Sequence, residues 1–163
     1  MIMNESTLTA TVITVSTRAA AGAYEDRSGP IIVDALIAAG FKTDRPTVVR
    51  DGAPVLEALR RAVSAGYAVI ITTGGTGLSP DDQTPEMTRQ VVRREIPQLP
   101  AAIADYGVAH GVPTAVLSRG IAGTVGDSLI INLPGSAGGA RDGMAVLAPL
   151  LEHAVTQLRG GDH

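Results

Sequence analysis

The 163-residue sequence has no cysteine, no tryptophan and a single phenylalanine, and aromatic residues make up only 2% of it. Without thiols, disulfide staples and thiolate metal sites are excluded, and a reducing compartment is compatible with the chain. With so few rings, the core has to be built from Val, Ile, Leu and Ala, which suits a sheet buried between helices. The chain also lacks a basic tract or an aromatic stacking surface, and its formal net charge is -3. A nucleic-acid partner is therefore not expected. No run approaches the roughly 20 apolar residues of a membrane span. The first eleven residues carry neither the basic start nor the long apolar stretch of a secretory signal. No membrane association is expected, and the cytoplasm is the expected location.

What is present is an ordinary hydrophobic share, 45%, on a length of about one domain. Residues 1–163 are expected to form one unit, without internal repeat, linker or low-complexity segment. A chain of this size buries roughly two-thirds of its unfolded surface, enough to fold without a staple.

Strands and helices alternate along it. Residues 8–16 read as a strand, with the β-branched Val12, Ile13 and Val15. Pro30 fits the first turn of a helix, where its missing N–H costs nothing, and Ile31, Ile32, Ala35, Leu36 and Ala39 follow at helical spacing. Residues 43–49 form a second strand candidate, placed at an edge or made irregular by Pro46. Pro54 opens another helix whose stripe is Val55, Leu56, Leu59, Ala62 and Val63. Residues 68–71 are a short, continuous apolar run of the kind found in a central parallel strand. Thr84, Pro85 and Glu86 start a helix, with Thr as cap, Pro first and an acid at the positive end; it is expected to run to about Glu95. Further elements are a helix over 99–110, an ambiguous segment at 115–119, a strand over 128–133, and a last helix with Met144, Leu147, Leu151, Val155 and Leu158 on one face. The alternation predicts a three-layer α/β fold with a mostly parallel sheet.

Three constellations carry candidate chemistry. Thr72-Thr73-Gly74-Gly75-Thr76-Gly77 ends a buried strand and precedes Asp82 and Thr84-Pro85-Glu86. Glycines let backbone N–H groups approach a phosphate, and ligands of open α/β sheets bind beyond the carboxyl ends of strands. The loop is neither a Walker A motif nor a GxGxxG fingerprint. Alone, Gly-Gly-Thr-Gly is more readily read as a tight turn needing positive φ; the attached Asp and Thr-Pro-Glu favour a phosphate cradle. Asn132-Leu133-Pro134-Gly135-Ser136 lies after the last strand in the same way, and by itself reads equally well as Pro-Gly punctuation. The third set is Asp26, Asp51, Asp81 and Asp82. Carboxylates beside a phosphate site make sense if they hold Mg2+ against the phosphates, although Asp51 alone reads as a turn residue before Gly52. His110, His153 and His163 show no metal-ligand spacing. Ser16, Ser28, Ser118 and Ser136 show no triad and no Gly-x-Ser-x-Gly elbow.

The Gly74 loop with Asp82 and Thr84-Pro85-Glu86 resembles a signature of the Mog/MoaB family of molybdenum-cofactor biosynthesis proteins, whose domain also occurs in gephyrin and in the plant molybdenum-insertion protein. Asp26-Arg27-Ser28-Gly29-Pro30, Leu117-Ser118-Arg119, Ala122-Gly123 and Leu129 to Ser136 resemble further family segments, so that the likeness covers nearly the whole chain. It implies the three-layer fold, usually as a homotrimer. It also implies binding of molybdopterin and Mg-ATP, transfer of AMP from ATP to the molybdopterin phosphate with release of pyrophosphate, and hand-over of the product to a metal-insertion protein. On that resemblance Asp82 and Asp51 are the catalytic and Mg2+-binding acids. Gly74, Gly75, Thr76, Gly77 and Thr84 hold the nucleotide phosphates, and Ser118, Arg119, Pro134, Gly135 and Ser136 bind the pterin or its phosphate. Two departures stand out. Thr17 follows Ser16 where relatives often carry Asp or Asn. Gly138 and Gly139 follow the Pro-Gly-Ser motif where many carry Lys, leaving Arg141 as the nearest cation. They motivate an alternative, a carrier that binds molybdopterin without transferring AMP.

Overall fold

The structure, a computed structural model, describes residues 7–161; His163 and most of the segment inspected for a leader lie outside the described residues. Its elements in chain order are β1 (Ala10–Val15), α1 (Thr17–Ala20), α2 (Ser28–Ala38), β2 (Thr47–Val49), α3 (Ala53–Ser64), β3 (Val69–Thr73), α4 (Thr84–Arg89), β4 (Arg94–Glu95), α5 (Gln98–Ala109), a 3-10 turn (Pro113–Leu117), β5 (Ala122–Val125), β6 (Ser128–Leu133) and α6 (Ala137–Leu158).

One six-stranded sheet runs in the order β2-β1-β3-β6-β5-β4. The pairs β1–β2, β1–β3 and β3–β6 are parallel, and β5 runs antiparallel to both β6 and β4. Every residue of β3 and β6 is buried, because helices cover both faces of a parallel sheet. Strand alternation divides the core. Ala10, Val12, Val69, Ile71, Leu129, Ile131 and Leu133 face α2, α5 and α6. Ile13, Val15, Ile70 and Ile130 face α3 and the region of α4. Each fully buried Leu or Ile contributes about 1.5–3 kcal/mol of transfer free energy. The amphipathic stripes of α2, α3 and α6 supply the facing side chains at Ile32 and Leu36, at Val55 and Leu59, and at Met144, Leu147, Leu151 and Val155.

From β1 the chain goes to β2 on one side and then to β3 on the other, so the order of strands reverses at β1. Right-handed crossovers then place α2 and α3 on opposite faces, as observed. A reversal of this kind opens a crevice beyond the carboxyl ends of the two strands flanking it. This feature positions the site.

Three sequence expectations change. The helix from Thr84 ends at Arg89 rather than Glu95, because the chain turns into an edge strand: Arg93 N–H donates to the Thr124 carbonyl and Ile96 N–H to the Ala122 carbonyl. Adjacent β-branched Val91 and Val92 favour that turn-out. Thr84 does not cap its helix; Gln83 occupies the cap position and Thr84 is the first helical residue. Beyond Pro46 only residues 47–49 pair, at the sheet edge.

Candidate active site

The carboxyl ends of the four parallel strands lie in one row, carrying Asp51 after β2, Ser16 and Thr17 after β1, Gly74 to Gly77 after β3, and Pro134 to Ser136 after β6. The two glycine loops are joined directly. Thr73 Oγ1 donates to the Pro134 carbonyl at 2.7 Å, and Gly74 N–H donates to the Leu133 carbonyl at 3.0 Å. Gly74 and Gly75 have φ of 102° and 68°. A Cβ at Gly74 would overlap the Val15 carbonyl, and one at Gly75 would overlap the Thr84 hydroxyl. The loop therefore does require positive φ, and it also turns its backbone toward the crevice. The N–H groups of Gly75, Thr76 and Gly77 donate to no acceptor among the described residues. Such a run of free amides has the chemistry of an anion cradle.

Arg119 fixes that loop from outside. Its backbone N–H donates to the Thr76 carbonyl, its Nε to the Gly77 carbonyl at 2.8 Å and its Nη2 to the Asp82 carbonyl at 2.7 Å, while Nη1 pairs with Glu86. The hydrogen bond from Arg119 holds the Glu86 carboxyl below its ordinary pKa, with backbone hydrogen bonding and the Arg119 and Arg89 charges acting in the same direction against a small burial cost. The guanidinium expected on the pterin phosphate is thus occupied in holding the glycine loop against α4.

Asp82 accepts the Ser79 N–H on Oδ2 at 3.1 Å, and the same oxygen stands 2.7 Å from where a Cβ of Gly77 would be. Asp51 reaches Gly75 from β2, with Oδ1 3.1 Å from a Cβ built there. Thr17 Oγ1 donates to Asp51 Oδ2 at 2.9 Å and accepts the Asp51 N–H at 3.2 Å. The departure at position 17 therefore bears on Asp51 itself: an Asp there would face it with a second negative charge. Beside them the Thr84 hydroxyl is fully buried and has no hydrogen-bond partner among the described residues.

Asp26 is not part of this set. It accepts from the Thr14 hydroxyl at 2.8 Å and the Gly29 N–H at 3.0 Å, tying the β1–α2 loop down. Asp81 is exposed. Among the described residues no three His, Cys, Asp or Glu side chains form a metal cage. Two carboxylates against one phosphate cradle nonetheless fit Mg2+, which is commonly held by one or two carboxylates plus substrate phosphates and waters. The Thr84 hydroxyl, against Gly75 on the Asp51 side, is a further buried polar group without a hydrogen-bond partner among the described residues.

On the Asp82 side the row opens into a cavity of about 680 Å³, which Asp51 does not line. Its walls come from α5 (Ile103, Ala104, Gly107), from Leu117 and Ser118, and from Pro134 and its neighbours. Ser136 caps α6 by accepting the Gly139 N–H at 3.0 Å, so the N-terminus of a 22-residue helix borders the cavity at Gly138 and Gly139. Helix N-termini favour anions. Asp82 and Asp142 are the charged side chains lining the cavity. Arg141 instead lines a shallow depression between α2 and α6, so it does not replace a lysine at the Pro-Gly-Ser motif. His110 and His153 stay outside the cavity: the Nδ1 of His110 lies 2.7 Å from the Tyr106 carbonyl, its ring stacks on Tyr106, and His153 is exposed on α6.

Asn132, which the sequence places at the head of the Pro-Gly-Ser constellation without a role of its own, is buried at 3% exposure. Its Oδ1 accepts the Ile121 N–H, and its Nδ2 donates to Thr72 and Thr88 at 2.8 and 2.9 Å. This ties β6, β3 and α4 together beneath the loops. A polar residue inside the apolar run Leu129-Ile130-Ile131-Asn132-Leu133 is the signal that could have found it.

A family profile described as "Probable molybdopterin binding domain" matches residues 11–153. The Molybdenum cofactor biosynthesis bifunctional protein of Synechococcus elongatus is 40% identical over 155 residues, which is 94% of this chain and 48% of that protein. The Molybdopterin adenylyltransferase of Pyrococcus furiosus is 32% identical over 152 residues, 91% of this chain and 89% of that one. A solved structure of MogA superposes with a TM-score of 0.89 at 55% identity, covering 92% of this chain and 99% of that one. The chain belongs to the Mog/MoaB family of molybdopterin-binding domains in molybdenum-cofactor biosynthesis. It spans about half the length of the bifunctional relatives it matches. Among the described residues no helix is long and apolar enough to cross a membrane.

Proposed function

We propose that the chain is a molybdopterin adenylyltransferase: it binds ATP and molybdopterin side by side and lets the molybdopterin phosphate displace pyrophosphate from the nucleotide. The observation that carries this reading is the contact between the two glycine loops, one open to Asp51 and Asp82 and the other to the cavity. The free amides of Gly75, Thr76 and Gly77 receive nucleotide phosphate oxygens, and the buried Thr84 hydroxyl supplies a further donor. The cavity takes the pterin, with Ser118 on its wall and the α6 N-terminus beside its phosphate. Mg2+ arriving with ATP neutralises phosphate charge, and Asp82 and Asp51 are the residues that would hold it.

A phosphate oxygen of molybdopterin attacks the α-phosphorus, the new P–O–P bond forms, and the α–β bond breaks with its electron pair leaving on pyrophosphate. Joining two anions calls for positioning and charge neutralisation more than for a protein nucleophile. Among the described residues the cavity wall carries glycines, Ser118 and Ser136, Asp82 and Asp142 rather than a histidine base. Assembly as a trimer and delivery of the adenylylated product to a metal-insertion protein complete the proposal. Purified protein incubated with molybdopterin, Mg2+ and α-labelled ATP is expected to place labelled AMP on the pterin. Tight molybdopterin binding without any transfer would instead establish a carrier.

A further inference from the structure

The loop after β1, next to Asp51 in the row, carries a second charged feature that the reading above does not use. The loop after β1 folds back so that the guanidinium of Arg18 sits 5.2 Å, and that of Arg27 6.0 Å, from the centroid of the Tyr24 ring. Those two distances place the guanidiniums no more than 11.2 Å apart (5.2 plus 6.0). Among the described residues neither has a side-chain hydrogen bond or an ion pair. Glu25 beside them is exposed and pairs with neither, and the Asp26 carboxylate is committed to Thr14 and Gly29. Two like charges are thus drawn to one ring with no counter-ion, although Tyr24 is 48% exposed and the loop borders solvent. Such a pair repels itself until an anion lies between or beside its members.

The position of the pair says which anion. Thr17, bonded to Asp51 both ways, is the immediate chain neighbour of Arg18, with Cα atoms about 3.8 Å apart. The row then reads, from cavity to edge, Asp82 and the free amides after β3, Thr17 with the Arg18–Tyr24–Arg27 cluster after β1, and Asp51 after β2. A nucleotide with its α-phosphate on the glycine loop, and its β- and γ-phosphates running away from the cavity, would be directed toward the neighbouring loop after β1 that carries these two arginines. We propose that Arg18 and Arg27, held by Tyr24, bind the β,γ-diphosphate of the nucleotide and stabilise it as it leaves as pyrophosphate. The assignment rests on the adenylyltransferase reading. The arginines neutralise charge that grows on the β-phosphate oxygen when the α–β bond breaks; they form no covalent bond and transfer no proton. They also give the site a reason to prefer a triphosphate over a monophosphate.

The test uses inorganic pyrophosphate and, separately, ATP and AMP, titrated calorimetrically against the full chain. Arg18→Gln/Arg27→Gln is compared with Arg60→Gln/Arg61→Gln, which removes the same charge from the exposed far end of α3. The expected result is pyrophosphate binding in the wild type, weakened at least about tenfold in the first variant and unchanged in the second, with ATP following pyrophosphate and AMP unaffected. Matched melting temperatures show that the first variant folds. Wild-type pyrophosphate affinity in Arg18→Gln/Arg27→Gln, an equal loss in Arg60→Gln/Arg61→Gln, or no binding to the wild type each overturns the inference. AMP transfer with an unchanged KM for ATP in the first variant would leave the enzyme reading standing and remove this one. Arginine-dependent pyrophosphate binding without any AMP transfer would remove the enzyme reading and with it the leaving-group role, keeping only the diphosphate site.

Discussion

Gly135 packs against Gly74 so closely that a Cβ built on Gly135 would lie 3.1 Å from the Gly74 Cα. The Gly74 loop and the wall of the cavity are therefore one structure, and on the proposed reaction the two substrates would meet where these glycines touch. Gly74→Ala meets a rigid backbone carbonyl, that of Val15, at a φ of 102°. It is expected to cost at least about 2 kcal/mol in urea unfolding. Gly135→Ala meets a contact that can give by a few tenths of an ångström. It should unfold later than Gly74→Ala yet lose about tenfold or more in AMP transfer, because the loops are spread at the reacting centre.

Arg119→Lys is expected to behave as a loss, not as a conservative change. The three separate partners of the guanidinium, two carbonyls and a carboxylate, match a planar fork that an ammonium cannot reproduce. The variant should lose about 1–2 kcal/mol and most of its ATP affinity, while molybdopterin affinity falls less. Equal losses for the two ligands would place Arg119 on the pterin instead.

The same pair gives the protein a dependence on acid. The Glu86 pKa is lowered in the folded state, chiefly by its hydrogen bond from Arg119. A group of this sign adds stability that is fully present above its unfolded pKa, about 4.3 for glutamate. That stability is lost as pH falls through the lowered folded value. The melting-temperature difference between wild type and Glu86→Gln should therefore be constant near neutrality and vanish in acid. It is also expected to be small, because the pair is half exposed.

Asn132→Asp tests the buried network below the loops. It exchanges the two donors that serve Thr72 and Thr88 for a carboxylate at 3% exposure, and the Thr88 hydroxyl already donates to the Thr84 carbonyl. A loss of about 3 kcal/mol is expected in chemical denaturation at pH 7.

The parts of the molecule legible in the sequence are those where one physical term dominates. β3 and β6 are continuous apolar runs, and α3 and α6 carry clear helical stripes, so their burial on both faces or one face follows from hydrophobicity alone. The two-residue β4 carries too little pattern to signal itself; its pairing with β5 is decided by backbone partners far along the chain. In the candidate site, the grouping of residues 74–77 with Asp82 at the end of β3 is legible from the sequence, because glycines and acids cluster there. Chain proximity misled where direction matters. Arg141 follows the Pro-Gly-Ser motif closely, yet the helical turn aims it at α2 and gives the cavity Asp142. Nor does spacing reveal that Thr17 grips Asp51 across 34 residues, or that Arg119 closes the glycine loop from 42 residues away.

The most direct measurement of the central claim is AMP transfer from α-labelled ATP to molybdopterin by wild type and by Asp82→Asn, with and without Mg2+. The asparagine keeps an oxygen for the Ser79 N–H, so the variant should melt with the wild type and still bind molybdopterin. The account predicts Mg2+-dependent transfer in the wild type and a fall on the order of 100-fold in the variant. Wild-type turnover in Asp82→Asn, or transfer indifferent to Mg2+, would contradict it.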